Sequence, residues 1–422
     1  MKITVLGLWH LGTVTAACCA RHFQVTGLDF DAATIAGLQA GRAPLLEPGL
    51  NELLAAGLAA GRLAFTTDPA AALAGCEVLW LCYDTPVNEL DEADNEFVLT
   101  NLRRALPHLA AGALVLISAQ MPVGTCRRLE TEFPGFHFVC SPENLRLGRA
   151  LDAFEKADRV VVGLRENGPR TVLEKLFAPF TQKVLFMRTE SAEMVKHALN
   201  SFLALSITFI NEIARLCELT GADAKEVSQG LKSEARIGSR AYLGPGGPFA
   251  GGTLARDVVT LSKLAAAHGE TISVIPAIKQ SNDLHRGWAC KRLQARLGEL
   301  RGRNITLLGL TYTPNTDTLR RSAAMELCGQ LLAAGAQVRA FDPAIQSLPP
   351  EWSAVTLAAD VAEGLRQADA AVVCTEWPQF RQVDFAAVVP AMRHRVFVDA
   401  NLFLEKELKP VPGIEHLSVG RV

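Results

Sequence analysis

The sequence lacks a dominant charge, a long apolar run and a signal-peptide layout. Its 422 residues carry a formal net charge of −2, which gives no reason to expect nucleic acid or an anionic membrane as a partner. No stretch approaches the ~20 uninterrupted apolar residues that a membrane-spanning helix needs. The N-terminus enters a strand pattern at once, so the cytoplasm is the expected location.

Paired cysteines are also missing. None of the ten cysteines stands in a CxxC pair, and several lie inside apolar runs: Cys18, Cys19, Cys82 and Cys374. Buried free thiols in a reducing compartment fit this usage better than a disulfide framework or a zinc site. The chain length predicts two or three domains, because single cores stop growing at about 250–300 residues.

The first thirty residues follow the order strand, glycine turn, helix, strand, acid, which is typical of a dinucleotide-binding βαβ unit. Gly7 would make the tight turn and Gly12 would allow close packing of helix on strand. Asp29 would accept hydrogen bonds from the adenosine ribose, which favours NAD over NADP. The predicted parts are Lys2–Leu6, Gly7–Gly12, Thr13–Arg21 and Phe23–Asp29.

One position departs from the glycine pattern. Trp9 stands where a small residue normally lets the backbone approach the pyrophosphate. A Rossmann-like fold without a cofactor is therefore the alternative to NAD binding at this stage. The strand and acid context favours the cofactor.

Three more predicted strands end in polar turns, at Cys82, Ser118 and Cys140. In open α/β sheets, ligands bind beyond the carboxyl ends of the strands, where such turns gather. Glu143 follows the third of these strands. A carboxylate on such a turn either acts as a base or positions a water, or it is a surface salt-bridge partner.

A helix is predicted over Glu190–Thr220 from apolar periodicity. Lys196 and Asn200 are four residues apart and therefore share a face, with Glu193 one turn before. A lysine among apolar residues is either partly desolvated, which suits proton transfer, or it extends its amine to solvent. A long apolar helix in mid-chain also suits an interdomain spine or a dimer interface.

The stretch Ala235–Asp257 reads as a loop, with five glycines and two prolines between Gly244 and Gly252. Arg236, Arg256 and Asp257 frame it. Glycine-rich backbone near cations suits a phosphate-bearing ligand, whereas a tight connection between helices is the alternative.

The alternation of strands and helices restarts near Arg303 and predicts a second Rossmann-like domain. The chain is thus predicted to be an α/β protein with two Rossmann-like doubly wound domains joined by a long-helix central domain. The expected limits are 1–190, 191–300 and 301–422. The predicted strands of the last domain are Asn304–Leu308, Ala336–Phe341, Ala370–Cys374 and Arg395–Val398.

Seven motifs in this order resemble the UDP-glucose/GDP-mannose dehydrogenase family over nearly the whole chain. They are GRAPLLEPGL (Gly41–Leu50), MPVGT (Met121–Thr125), SPENLRLGRALDAF (Ser141–Phe154), the helix Ala192–Asp223, ARIG (Ala235–Gly238), GLTYTPNTDTLRRS (Gly309–Ser322) and AFDP (Ala340–Pro343).

The resemblance implies oxidation of the C6 hydroxymethyl group of a nucleotide sugar, UDP-linked, to a carboxylate with two NAD molecules in succession. Lys196 and Asp257 would assist deprotonation of the alcohol, and Asn200 would hold the developing oxyanion. Glu143 would serve the hydrolytic half of the second oxidation.

The resemblance also implies binding residues and a homodimer. Arg236 resembles an arginine that reaches the sugar site of a neighbouring subunit. The implied cofactor contacts are Gly7, Trp9, Leu11, Gly12, Asp29, Thr85, Pro86 and Gln120. The implied substrate contacts are Glu143, Leu145, Lys196, Asn200, Arg236, Phe249, Gly251 and Arg320.

Several positions depart from the family pattern. Thr253 stands where the family places a nucleophilic cysteine, and a threonine hydroxyl is not ionised near neutral pH. Thr313 and Thr318 replace a lysine and an aspartate of the later substrate motif. Three hypotheses follow. The first is an NAD enzyme that performs one two-electron oxidation, or that oxidises a hydrated aldehyde in a second step. The second is an oxidoreductase of the same architecture with another substrate, and the third is a non-catalytic relative that binds a nucleotide sugar.

Overall fold

A computed structural model describes residues 1–88, 90–250 and 252–421. It divides into two compact units, Met1–Ala198 and Leu199–Val422, which are described separately below. The predicted residue Gly251 lies outside the described residues. The three domain limits expected from the sequence stay predictions.

The first unit is built on a twisted sheet whose strands are short apolar segments. Its order is β3-β2-β1-β4-β5-β6-β7-β8, and the first six positions follow the doubly wound arrangement of dinucleotide-binding folds. The strands are β1 (Lys2–Leu6), β2 (Gln24–Leu28), β3 (Leu63–Thr66), β4 (Val78–Leu81), β5 (Leu114–Ile117), β6 (His137–Cys140), β7 (Val160–Gly163) and β8 (Val184–Met187).

Helices cover both faces of this sheet, which explains why β4 and β5 are apolar and buried at every position. They are α1 (His10–Cys19), α2 (Ala32–Gln39), α3 (Leu50–Ala59), α4 (Pro69–Leu73), α5 (Asn95–Ala105), α6 (Thr125–Glu132), α7 (Ala150–Glu155) and α8 (Arg170–Phe177), with a 3₁₀ turn at Leu106–His108. The strand order reverses beside β1, which pairs in parallel with both β2 and β4. The turns after β1 and β4 therefore face each other across the crevice where such sheets bind ligands.

The long helix α9 (Thr189–Thr220) begins in the first unit and continues into the second. It matches the predicted Glu190–Thr220 within one residue. The further helices are α10 (Ala224–Ser233), α11 (Leu254–Ala267), α12 (Val274–Arg286), α13 (Trp288–Leu297), α14 (Ala323–Ala333), α15 (Val361–Leu365), α16 (Phe385–Val388) and α17 (Glu405–Leu408), with 3₁₀ turns at Pro350–Trp352, Pro378–Gln382 and Val389–Ala391.

A second parallel sheet forms the core of the second unit, in the order β11-β10-β9-β12-β13-β14. This repeats the order of the first six strands of the first sheet, so the predicted α/β fold with two doubly wound domains is confirmed. The strands are β9 (Asn304–Leu308), β10 (Gln337–Phe341), β11 (Thr356–Leu357), β12 (Ala370–Val373), β13 (Val396–Asp399) and β14 (Glu415–Leu417).

The two sheets also share the turn that follows their first strand. Gly7 and Gly309 both adopt positive φ, +92° and +89°, and each donates its amide to the end of the neighbouring strand. In the second unit Asp342 then accepts from the amides of Leu310 (2.6 Å) and Thr311 (3.0 Å). Its other bonds come from the hydroxyl of Thr311 (3.2 Å), the indole of Trp377 (3.0 Å) and the amide of Ala344 (2.9 Å), and the residue is 3% exposed.

Some predicted boundaries are wrong. Helix α1 begins at His10, not Thr13, because the glycine turn already closes the first helical turn. Helix α11 begins at Leu254, so Arg256 and Asp257 are helical and not part of the loop. The first sheet also contains two strands, β7 and β8, that were not predicted from the sequence. Strand β7 pairs antiparallel with β6, and β8 pairs parallel with β7.

The cysteines are free thiols, as expected, and most are buried; Cys290 and Cys374 are half-buried. Among the residues described, no helix combines the length and the apolar character needed to cross a membrane.

Candidate functional site

The glycine turn after β1 has the geometry of a close backbone approach. A side chain on Gly12 would meet the carbonyl oxygen of Gly7 at 1.7 Å, so helix α1 packs against the turn only because residue 12 is glycine. Asp29 follows β2, and its carboxylate accepts from the amides of Leu8 (2.7 Å) and Asp31 (3.0 Å). The acid thus lies beside the turn, as the βαβ pattern predicts.

Tyr83 packs beneath this turn from the end of β4. Its ring lies 2.6 Å from where a Cβ on Gly7 would be, and the residue is 7% exposed. Among the described residues its buried hydroxyl has no hydrogen-bond partner. Burial, and after it the charge of Asp29, raise the pKa of Tyr83 well above its usual range. A buried hydroxyl in this state suits a position beside a bound polar ligand.

Asp84 is the next residue, and sequence reasoning gave it no role. Its Oδ2 accepts a hydrogen bond of 3.1 Å from the amide of Leu11, in the first turn of helix α1. Trp9 is the N-cap of the same helix and is half-buried. The bulky Trp9 and the charged Asp84 therefore both lie at the N-terminus of α1. In dinucleotide-binding folds this helix end points at a pyrophosphate.

The remaining predicted cofactor contacts lie on neighbouring strand ends. The hydroxyl of Thr85 donates to the carbonyl of Gln120 at 3.1 Å, which joins the turns after β4 and β5. The carbonyl of Pro86 accepts from the amide of Asp94 at 2.8 Å. The structure therefore gathers these three residues on the same edge of the sheet as Gly7.

Lys196 and Glu143 meet in the first unit. The lysine Nζ donates to the backbone carbonyl of Glu143 at 2.7 Å and lies 3.4 Å from its carboxylate Oε1. Lys196 is 7% exposed, so the alternative in which its amine extends to solvent is wrong. Glu143 Oε2 accepts from the amide of Leu145 at 2.5 Å, which fixes the carboxylate on its turn.

A small cavity of about 20 Å³ adjoins this pair and is lined by Gln120, Cys140, Glu143 and Lys196 among others. This volume accommodates about one water molecule, and the lining offers it a carboxylate, an amine and an amide. Burial, and after it the charge of Glu193, raise the pKa of the Cys140 thiol. Cys140 therefore stays protonated, which makes it a poor nucleophile.

Glu193 and His197 also line this cavity, and they fix the start of α9. Glu193 accepts from the amides of Gly124 (2.6 Å) and Cys126 (2.9 Å) at the beginning of α6. His197 bonds the carbonyl of Met121 at 3.0 Å. Together these contacts hold the helix turn from which Lys196 projects.

Asn200 and Asp257 meet in the second unit. The amide of Asn200 donates to Asp257 Oδ2 at 2.5 Å, and both side chains are buried, at 4% and 0% exposure. Asp257 lies in the first turn of α11, where the helix dipole stabilises a carboxylate. An amide nitrogen carries two N–H donors, so this bond uses only part of the donor capacity of Asn200.

Thr253 is the N-cap of α11, one turn before Asp257, and it is exposed. Tyr312, a residue to which sequence reasoning gave no role, is its neighbour. Burial raises the pKa of Tyr312 by more than the nearby Thr253 hydroxyl and the charge of Arg256 lower it. The predicted nucleophile position is therefore occupied by a pair of un-ionised hydroxyls.

Three buried side chains hold the glycine-rich loop, and sequence reasoning missed all of them. Asn282 accepts from the amide of Phe249 (3.0 Å) and donates to its carbonyl (2.9 Å). Asn211 accepts from the amide of Gly246 (3.0 Å), and Nε2 of His285 bonds the carbonyl of Gly246 (2.8 Å). Burial, and after it the charge of Arg215, lower the pKa of His285, so it donates as a neutral ring. The sequence signal that could have identified them is a polar residue within an apolar helix pattern, because a buried polar group needs a hydrogen-bond partner.

The other predicted substrate residues are placed differently. Phe249 is 6% exposed and packs in a small core with Ala204 and Ile278. The side chain of Arg236 is 88% exposed and pairs with Glu234 at 3.0 Å. Arg320 is exposed, and its amide donates to the hydroxyl of Thr318 at 3.3 Å.

Comparisons with known proteins agree with this architecture. Models of the UDP-glucose/GDP-mannose dehydrogenase family match the chain at residues 1–181 (NAD binding domain), 190–284 (central domain) and 306–406 (UDP binding domain). The UDP-glucose 6-dehydrogenase of Rhizobium meliloti (strain 1021) is 33% identical over 437 residues, covering 100% of both chains.

Solved structures are similar along the whole chain. A UDP-glucose dehydrogenase from Pyrobaculum islandicum superposes with a TM-score of 0.90 at 31% identity, covering 100% of this chain and 98% of the other. A UDP-D-ManNAc dehydrogenase from Pyrococcus horikoshii has a TM-score of 0.86 at 25% identity, covering 100% and 99%.

Fold and crevice thus define an NAD-dependent dehydrogenase of nucleotide sugars, as the sequence predicted. The chain belongs to the UDP-glucose/GDP-mannose dehydrogenase family. NAD is its cofactor, and the tight Gly7–Gly12 turn, the acid Asp29 and the orphan hydroxyl of Tyr83 fit an adenosine diphosphate group.

Proposed function

We propose that this protein oxidises the C6 alcohol of a UDP-glucose-like nucleotide sugar and stops after one two-electron step. The observation that carries the proposal is Thr253, an exposed residue that stands at the N-cap of α11, one turn before the buried Asp257. A cysteine thiolate there would add readily to an aldehyde, whereas an un-ionised hydroxyl is a much weaker nucleophile.

The first oxidation needs a group that takes the alcohol proton. Lys196 and Asp257 are assigned that role, with Asn200, one turn after Lys196 on α9, as a donor to the developing oxyanion. Bound NAD would accept the hydride that leaves C6. Burial of all three side chains supports the proposal, because electrostatic interactions gain strength where water is excluded.

Glu143 is assigned the role of positioning a water molecule. Its carboxylate is held by the amide of Leu145, lies 3.4 Å from Lys196 Nζ and adjoins the cavity of about 20 Å³. One water there would be available to hydrate the aldehyde. The reaction would then yield an aldehyde or its hydrate as the released product.

The test is the yield of NADH per molecule of UDP-glucose consumed, with the product mass recorded. Wild type is expected to give one NADH and an aldehyde or its hydrate. Thr253→Cys is expected to give a second NADH and a carboxylate, while the matched control Thr253→Ser stays at one. Two NADH from wild type would refute the single step, and tight binding without acid in Thr253→Cys would mean that the sugar binds in another pose.

We also propose a homodimer. Phe202, Phe209 and Leu216 are spaced by seven on α9 and are 65%, 45% and 57% exposed. Such a heptad stripe suits a second copy of the same helix, and large apolar side chains in a row are otherwise unfavourable in water. The exposed side chain of Arg236 is compatible with a reach towards a neighbouring subunit. The cytoplasmic location stays a prediction.

A further inference from the structure

Asp84 follows β4 at the point where the strand order of the first sheet reverses. Leu6 and Leu81, the last residues of β1 and β4, are register partners, so the turns after them are neighbours. This adjacency lets the Asp84 carboxylate reach the amide of Leu11 at 3.1 Å. The contact joins residues 73 positions apart and is set by the sheet, not by local chain geometry.

The amide of Leu11 is one of the N–H groups in the first turn of α1, which have no partner within the helix. In dinucleotide-binding folds, the pyrophosphate sits against this helix end, attracted by free N–H groups and by the helix dipole. A carboxylate bonded there provides the negative charge and the acceptor that the pyrophosphate would otherwise supply.

A second observation shows that this crevice is built for a ligand. Tyr83, the neighbour of Asp84, is 7% exposed, and its hydroxyl has no hydrogen-bond partner within the described part of the chain. Its ring packs against Gly7, at the start of the same turn. A buried orphan hydroxyl on one side and a self-supplied carboxylate on the other indicate that the protein's own side chain takes the place of part of the ligand.

We propose that Asp84 is a built-in competitor of the cofactor's pyrophosphate. NAD binds after the carboxylate has left the amide of Leu11, so the measured affinity is reduced by the fraction of molecules in which Asp84 has moved away. Trp9 is the N-cap residue of the same helix. This competition acts on cofactor binding alone, whichever sugar is oxidised and however many electrons are removed.

Isothermal titration calorimetry of the full chain tests the proposal, with NAD, ADP-ribose and adenosine as ligands. Asp84→Ala removes both acceptor and charge and is expected to tighten NAD and ADP-ribose by about tenfold, or about 1.4 kcal/mol. Asp84→Asn keeps a weaker neutral acceptor and is expected to fall between Asp84→Ala and wild type. Adenosine has no pyrophosphate, and its affinity is expected to change less than twofold.

Asp360→Asn is the matched control, because Asp360 is an exposed carboxylate of the second unit that caps α15 by accepting from the amide of Glu363 at 2.7 Å. It removes one negative charge from the start of a helix outside the NAD-binding sheet and is expected to leave all three affinities unchanged. Thermal unfolding of each variant checks that α1 survives the loss of a carboxylate at its first turn.

Three outcomes would overturn the proposal. Unchanged NAD affinity in a folded Asp84→Ala would mean that the carboxylate does not compete. Weaker NAD with unchanged ADP-ribose would assign Asp84 to the nicotinamide half of the cofactor. Equal tightening of adenosine would place the repulsion away from the pyrophosphate.

Discussion

Asn282→Ala is expected to loosen the glycine-rich loop and to destabilise the second unit. Asn282 is 1% exposed, and its amide makes both hydrogen bonds available to the Phe249 backbone, at 3.0 and 2.9 Å. Alanine would leave the N–H and the C=O of Phe249 without these partners. An unsatisfied buried polar group costs about 1–3 kcal/mol, so the expected loss is roughly 2–5 kcal/mol.

Thermal unfolding followed by calorimetry measures this loss, with an expected fall in Tm of about 5–15 °C for a unit of this size. Hydrogen exchange of the loop amides reports whether the loop opens before the rest of the unit. Gln280→Ala is the control, because Gln280 is exposed on the same helix α12 and its removal is expected to stay within about 0.5 kcal/mol of wild type. If both variants unfold alike, the side chain of Asn282 does not hold the loop.

Three further outcomes are expected. Lys196→Ala would abolish hydride transfer, measured as NADH formation, with ligand binding still detectable. The control Lys183→Ala, at an exposed position, would be active. Unchanged turnover in Lys196→Ala would contradict the assigned role. His285 has a lowered pKa in the folded chain, so the unfolded chain takes up the proton first and stability falls as pH drops through about 6.5. His285→Gln is therefore expected to flatten the slope of Tm against pH between about 7 and 5, and an unchanged slope would show that another group titrates. Phe209→Asp is expected to convert a dimer to monomers in sedimentation analysis, while Phe209→Leu stays dimeric; a dimer in both variants would exclude this face.

The sequence was most informative where structure follows from local periodicity. The bounds of α9 were predicted within one residue because its apolar pattern persists for 32 residues. The start of α1 was placed three residues too late, because helical geometry begins within the glycine turn at His10, where no apolar period marks it.

Contacts between distant segments were not predictable in this way. The bond from Asn282 to Phe249 spans 33 residues, and that from Leu11 to Asp84 spans 73. Both depend on which elements become neighbours, and a polar residue within an apolar pattern indicates only that some partner exists. The family resemblance supplied roles for Lys196, Asn200 and Asp257 but none for Asp84, since it transfers only what the motifs share.

The turn that the two sheets share uses its acidic residue differently in the two units. At the position of Asp29, the second unit has Asp342, whose carboxylate accepts from three amides, one hydroxyl and one indole and is nearly inaccessible. Four of these five bonds converge on Oδ2, so the chain itself saturates that oxygen. The acid that is predicted to accept from a ribose hydroxyl in one copy of the architecture holds the turn together in the other. Variants at the two matched positions should therefore separate by phenotype: ligand affinity for residue 29, and yield of folded protein for residue 342.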